Sequence, residues 1–254
     1  MFVFPMAGLS SRFAKAGYDR PKYMLPAGDR NLLEHSISGF SHYFDQSPFL
    51  FIHLANAVDP AFIRDSCRRM GLPDRNVAIV ALSRYTGGQA ETVAQGLRDV
   101  QAGQDQPITI FNIDTMYRTF RQPDVALGDD AVDGYLDVMR AEGDHWSFVR
   151  PEDARADAGR VLEVTEKVRI SELCSTGLYH FRAAGRFLDA FDAVRDVPLD
   201  QMQGGERYIA PLYNQIIAAG GDVAYPVIPS TDVRFSGTPN EYVAFVANLP
   251  FAYE

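Results

Sequence analysis

Apolar positions along the chain alternate between two periods. Residues 2–6 form a short apolar run that ends in Ala7-Gly8. Residues 31–44 then place Leu33, Ile37, Phe40 and Phe44 at spacings of four, three and four, one face of a helix. A second apolar run at 49–54 reads as a strand. Residues 60–70 carry Ile63, Cys67 and Met70 at helical spacing behind Pro60, whose missing N–H costs nothing in a first turn. A strand at 77–82, a helix at 89–100 built on Val93, Leu97 and Val100, and a strand at 108–113 continue the alternation. Strands that read as unbroken apolar runs between helices predict an α/β fold, a mostly parallel sheet flanked by helices. In such a sheet ligands collect where strands end and helices begin.

The pattern changes after residue 130. Strand-like runs at 134–140, 146–150, 160–165 and 176–181 follow one another with little helix between them, so antiparallel strands are expected to be inserted there. Helices are read at 183–194 and 206–219 and a strand at 223–228. The last helix has a clear start, with Thr238 as N-cap, Pro239 at the first position and Glu241 at the third. With no linker, repeat or low-complexity tract, a single domain over 1–254 is expected.

Composition narrows the function. Of 254 residues 46% are hydrophobic, ample for a core. With 24 basic against 33 acidic residues the formal charge is −9, which argues against a general nucleic-acid or anionic-membrane binder. A small anion held by a few local cations stays open. No apolar run approaches the roughly 18 residues of a spanning helix. The start, Met1-Phe2-Val3-Phe4-Pro5, has no basic n-region, so no secretory signal is read and a cytoplasmic location is the default. Cys67 and Cys174 stand alone, with neither a disulfide framework nor a metal-binding spacing.

The most informative stretch is Pro5-Met6-Ala7-Gly8-Leu9-Ser10-Ser11-Arg12, followed by Pro21-Lys22. Small residues after a strand let the backbone approach a ligand, and successive N–H groups there can form an anion nest. Arg12 offers a bidentate fork to phosphate oxygens and Lys22 a compact charge. A plain strand-to-helix turn with surface cations fits the spacing equally well. The chain has no Gly-Lys-Ser/Thr Walker ending and no Gly-x-Gly-x-x-Gly.

The run Ala7 to Arg12 with Pro21-Lys22 resembles the N-terminal signature of the sugar-phosphate nucleotidylyltransferases, a family that includes the cholinephosphate cytidylyltransferases of bacterial surface-polymer synthesis. The resemblance implies a Rossmann-like (GT-A-like) fold with a nucleotide-binding half over 1–130 and an acceptor-binding half over 131–254. It implies that Ala7, Gly8, Leu9, Ser10 and Ser11 wrap a nucleoside triphosphate while Arg12 and Lys22 hold its phosphates. The family usually has Gly where Ser10 stands.

Further segments are read beside it. Asn112-Ile113-Asp114 ends the fourth strand, where a carboxylate either holds Mg²⁺ together with substrate phosphates or serves as a turn residue. The family places its metal-binding Asp there, which points to Asp114. Gly87-Gly88-Gln89 opens a helix; Gly-Gly lets the chain approach a planar ligand and the Gln89 amide can read a base edge, as the family implies for Gly88 and Gln89. Glu166-Lys167, then Ser175-Thr176-Gly177-Leu178-Tyr179, resembles the family's acceptor segment. By that resemblance Lys167 binds the acceptor phosphate, Glu166 an acceptor hydroxyl or amine, and Gly177 leaves room. Phe235-Ser236-Gly237-Thr238-Pro239 resembles Asp-x-Gly-Thr-Pro with Phe235 in the metal-ligand place, so Asp232 is the candidate replacement.

The reading is therefore an Mg²⁺-dependent nucleotidyltransferase that joins a nucleoside monophosphate to a sugar 1-phosphate or other small phosphorylated acceptor, for surface polysaccharide precursors. Two alternatives stand. A nucleotide-sugar-dependent glycosyltransferase usually carries Asp-x-Asp, whereas here Thr115-Met116 follows Asp114 and Asp129-Asp130 sits in a loop. A non-catalytic nucleotide-binding protein would explain Phe235. Many nucleotide-handling enzymes of this size self-associate, so a homo-oligomer is also considered.

Overall fold

The first apolar run folds as strand β1 (Phe2–Pro5), buried along its length. The structure, a computed structural model, describes residues 1–126 and 132–253, and Asp129-Asp130 lie outside the described residues. After β1 comes the short helix α1 (Ser11–Lys15), then β2 (Pro26–Ala27) antiparallel to β3 (Arg30–Asn31). Helix α2 (Leu32–Ser38) starts on a capping box between Asn31 and Glu34. It stops short of the expected 31–44 because Phe120 takes the Gly39 carbonyl at 2.8 Å, and the chain goes on as a 3₁₀ turn over Ser41–Tyr43.

The next elements match their periodicity: β4 (Phe49–Leu54), α3 (Pro60–Arg69) capped by Asp59, β5 (Val77–Leu82) and α4 (Gln89–Asp99). Strand β6 (Ile108–Phe111) is two residues shorter than read. The chain turns at Asn112, whose carbonyl accepts from Thr115 N–H at 3.1 Å, into β7 (Thr115–Tyr117), which is too short to show a period.

The run of strands in the second half is present as β8 (Gly134–Arg140), β9 (Ser147–Pro151), β10 (Ala158–Glu166) and β11 (Leu173–Phe181). Then follow α5 (Ala184–Asp192), α6 (Tyr213–Ala218), β12 (Val223–Pro226), β13 (Val233–Phe235) and α7 (Pro239–Ala247), the last on the predicted Thr238–Glu241 capping box. The helix expected at 206–219 begins only with a 3₁₀ turn at Ala210–Leu212. Its first residues are drawn off as Arg207 pairs with another part of the backbone, described below.

These elements form two compact units. One comprises Phe2–Tyr85, Phe111–Arg121 and Thr231–Glu254. Its strands β5, β4 and β1 are parallel neighbours, Phe2 facing Phe49 and Phe49 facing Val77. Residues two apart share a face, so Phe2 stacks on Phe49 (5.0 Å) and Phe4 on Phe51 (5.2 Å), with the edges of Phe40 and Phe111 against Phe4. A second core joins Phe13, Leu25, Leu32, Met116, Phe245 and Phe251. Strands β7 and β13 pair antiparallel, Phe235 opposite Thr115 and Val233 opposite Tyr117.

The other unit comprises Met1, Thr86–Ile110 and Gln122–Ser230. Its strand order is β6-β11-β8-β12-β10-β9. β8 runs antiparallel to β11 and parallel to β12, and β10 runs antiparallel to both β12 and β9. The α/β class and the antiparallel strands of the second half are thus as expected. Tyr213 of α6 stacks on Phe181 at 4.6 Å and donates its hydroxyl to the carbonyls of Tyr135 and His180, which pins the helix to two strands at once.

Candidate functional site

The candidate residues are divided between the two units. In the first, β1 ends at Pro5, the chain stays buried through Met6 and Ala7 and emerges at Gly8 and Leu9, with Leu9 62% exposed. Ser10 adopts φ 49 and ψ 32, the left-handed conformation that Gly tolerates best, which accounts physically for the family's usual residue there. Its carbonyl accepts from Phe13 N–H at 2.9 Å and from Ala14 N–H at 3.1 Å, so the strained residue starts α1. Its hydroxyl accepts from Lys22 N–H at 3.4 Å. Ser11 and Arg12 are exposed, and among the described residues Arg12 makes no ion pair.

The Lys22 ammonium lies 2.5 Å from Asp114 Oδ2, joining groups 92 residues apart, each about one-fifth exposed. Asp114 is held at the β6–β7 turn by Ser236, whose N–H donates to the Asp114 carbonyl at 2.8 Å. A Cβ on Gly237 would sit 2.8 Å from Asp114 Oδ2, so glycine leaves the carboxylate its room. Ser10, Lys22, Asp114 and Gly237 therefore converge.

Asp232 does not join them. The β7–β13 register places it opposite Arg118, whose guanidinium it meets at 3.4 Å and whose N–H its carbonyl accepts at 2.9 Å. At a strand's rise per residue that lies about 13 Å along the ladder from Asp114. Among the described residues no three His, Cys, Asp or Glu side chains gather as a metal-binding group. One carboxylate suits a cation that keeps most of its ligands from phosphates and water, the usual habit of Mg²⁺.

In the second unit, Gly88 opens α4 with φ 143. The close approach allowed there is to the chain itself. A Cβ on Gly88 would meet Arg207 N at 2.5 Å and Arg207 O at 2.6 Å. Arg207 N–H donates to the Gly87 carbonyl at 2.8 Å and its carbonyl accepts from Ala90 N–H at 2.9 Å. The glycines serve this backbone pairing, which is by itself a sufficient reason for glycine at position 88. Gln89 stands half-buried in the first turn of α4.

Glu166 ends β10 buried, accepting from Ser147 Oγ, while its own N–H donates to Gln203 Oε1 at 2.7 Å. Burial raises the carboxyl above its ordinary range, the Ser147 hydrogen bond and Lys167 opposing. Lys167 has φ 57 and an exposed side chain whose ammonium donates to the Tyr208 hydroxyl and lies 4.5 Å from the Tyr208 ring centroid. Desolvation lowers its pKa, but the Tyr208 hydrogen bond and the carboxylates of Glu166 and Glu206 outweigh that and the net shift is upward. Gly177 has φ 91 within β11, where the register against β8 slips between Ser175 and Tyr179. It is the conformational pivot of a bulge. Gln203, Arg207 and Tyr208 were not singled out from sequence; the Gly204-Gly205 pair is the only local signal near them.

No family model matches the sequence, and no curated protein matches it either. Solved structures do. A nucleoside-diphosphate-sugar pyrophosphorylase from Vibrio cholerae is 43% identical, covers 98% of this chain and 100% of its own, and superposes with a TM-score of 0.88. A UDP-glucose pyrophosphorylase complexed with UDP-glucose is 14% identical, covers 97% of this chain and 96% of its own, and has a TM-score of 0.74. An inositol-1-phosphate CTP transferase from T. maritima is 9% identical over 97% of this chain and 94% of its own, with a TM-score of 0.71. The two distant structures share the fold.

Proposed function

Since this chain belongs to the sugar-phosphate nucleotidylyltransferase family, we propose that it transfers a nucleoside monophosphate from a nucleoside triphosphate to a small phosphorylated acceptor and releases pyrophosphate. The observation that carries the reading is the convergence of Lys22 on Asp114 beside the Ser10 turn, a cation and a carboxylate brought together next to the small-residue loop that follows β1.

The chemistry is an in-line displacement. An oxygen of the acceptor phosphate forms a bond to the α-phosphorus, the bond from that phosphorus to the α–β bridging oxygen breaks, and its electron pair leaves on pyrophosphate. The attacking oxygen is ionised near neutral pH, so no general base is required. The demand on the site is to offset charge while two polyanions meet. Arg12, exposed and without an ion pair among the described residues, is free to fork two phosphate oxygens. Lys22 adds a compact charge and holds the Asp114 carboxylate in place. Asp114 would hold Mg²⁺ with phosphate oxygens completing its shell, and the ion when bound neutralises the growing charge on the leaving group. Lys167 takes the acceptor phosphate. Glu166, buried and with an upward-shifted carboxyl, takes an acceptor hydroxyl or amine.

A nucleotide conjugate made this way suits surface polysaccharide assembly, with a nucleotide-rich cytoplasm as its setting. Among the described residues no helix is long and apolar enough to cross a membrane. The test is pyrophosphate release with Mg²⁺, each of four nucleoside triphosphates, and glucose 1-phosphate, inositol 1-phosphate or phosphocholine as acceptor. One pairing should turn over, and Lys22→Ala should lower its turnover roughly 100- to 1,000-fold, the scale of a lost preorganised donor. Loss of less than tenfold would remove Lys22 from the phosphate site. Nucleotide binding with no turnover under any pairing would favour the non-catalytic alternative, and release of free nucleoside diphosphate from a nucleotide sugar the glycosyltransferase.

A further inference from the structure

The segment 203–208 has no part in the reaction as assigned, yet it encloses the Glu166-Lys167 pair. Gln203 accepts the Glu166 N–H at 2.7 Å. Gly204, at φ 69, lies so near that a Cβ would stand 2.9 Å from Tyr208 Cε2 and 3.3 Å from Lys167 Nζ. Tyr208 accepts the Lys167 ammonium on its hydroxyl, which leaves the charge 4.5 Å from the ring centroid at the hydroxyl end of the ring.

Lys167 needs such a partner. Its backbone is fixed, with the N–H donated to the Trp146 carbonyl at 2.9 Å, but the side chain is exposed on a flexible four-carbon stem. A lysine that is to meet a phosphate at a defined point loses affinity if its ammonium must first be ordered. Tyr208 does that ordering in advance.

Arg207, the neighbouring residue, is the anchor. Its main chain pairs with Gly87 and Ala90 at 2.8 and 2.9 Å. Its Nη2 donates to the carbonyls of Arg195 at 2.6 Å and Val197 at 3.0 Å, and Nη1 meets Glu91 Oε2 at 3.4 Å. Two adjacent residues thus tie Lys167 to the first turn of α4.

We propose that Tyr208 is the positioning residue of Lys167 and Arg207 its anchor, so that 203–208 sets the affinity for the phosphorylated acceptor and fixes it relative to Gln89. The inference rests on the transferase reading above and goes further by assigning a specificity segment to the acceptor.

The experiment is steady-state pyrophosphate release with the acceptor of the panel that turns over fastest, with KM taken separately for acceptor and nucleotide. Tyr208→Phe keeps the ring and removes the hydroxyl. It should raise acceptor KM about tenfold or more, the usual worth of a hydrogen bond to a charged group, and leave nucleotide KM within about twofold. In a Lys167→Ala background the same change should add less than about twofold, because its effect passes through Lys167. Arg207→Ala should raise both KM values, and Arg207→Lys, which keeps the charge but lacks the fork over two carbonyls, should do so in smaller measure. The proposal is overturned if Tyr208→Phe leaves acceptor KM within twofold, or if its penalty multiplies in full on top of Lys167→Ala. A wild-type protein that releases no pyrophosphate with any pairing refutes the transferase reading itself, a result distinct from either of these.

Discussion

Ser10 shows how much one dihedral angle decides. An L-residue in the left-handed region costs about 1–2 kcal/mol, and Ser10 accepts this at the residue whose carbonyl starts α1 and whose hydroxyl meets Lys22 N–H. Ser10→Ala keeps the strain and loses the hydroxyl, whereas Ser10→Gly removes the strain. The Gly variant should therefore be the more stable of the two by about 1 kcal/mol, read as a shift of the urea midpoint at constant m-value. Equal midpoints would show that the left-handed turn is not populated in solution. The residue type and its place in a loop signature were legible in sequence, but the sign of φ was not.

At the scale of the element, the start of the last helix was the most legible feature. Thr238-Pro239-Asn240-Glu241 announced α7 correctly because a capping box is closed within four residues and needs no tertiary partner. The opposite case is Gly87-Gly88. Those residues permit close approach, and nothing local says by whom. The answer is the backbone of Arg207, more than a hundred positions away. Gly88→Ala places a methyl 2.5 Å from Arg207 N, so it should destabilise the protein by about 2 kcal/mol or more, with a lower melting temperature even in the absence of nucleotide. A variant that melts like the wild type but loses nucleotide affinity would restore the ligand-facing reading of Gly88. The same limit hid β7 and β13, three residues each, whose pairing joins residues 116 to 120 positions apart and whose register decides that Asp232 meets Arg118 and not Asp114.

For the whole molecule, two buried ionisable groups pull stability in opposite directions with pH. Desolvation pushes the His180 imidazole down to about 3. The folded state then binds fewer protons than the unfolded one, so stability is intact above pH 6.5 and falls as pH drops from there toward 3. Glu166 is shifted the other way: its folded pKa lies above the unfolded value, so its contribution is full below about pH 4.5 and is lost as pH rises through the folded value. Glu166→Gln, still an acceptor for Ser147, should melt higher than the wild type at pH 8, the gap closing toward pH 4. A gap that stays constant or widens on acidification would mean that the carboxylate is stabilised where it lies. The net charge of −9 was informative at this scale because it is a sum, needing no coordinates.

The sequence by itself determined what is local or additive: most of the longer strands and helices, the capped start of the last helix, the overall charge, and a loop rich enough in small residues to bear a family signature. Helical and strand periods, caps and turn chemistry are set within a few residues of chain, so they can be read in one dimension. Only the tertiary structure decided the partners. Lys22 with Asp114, Gly88 with Arg207, Lys167 with Tyr208, and Asp232 with Arg118 each join residues that are remote in sequence. Which charge meets which depends on strand register and on chain crossings, and a shift of one residue in a ladder turns every side chain to the other face. No local pattern carries that information, because it is settled only when the whole chain packs.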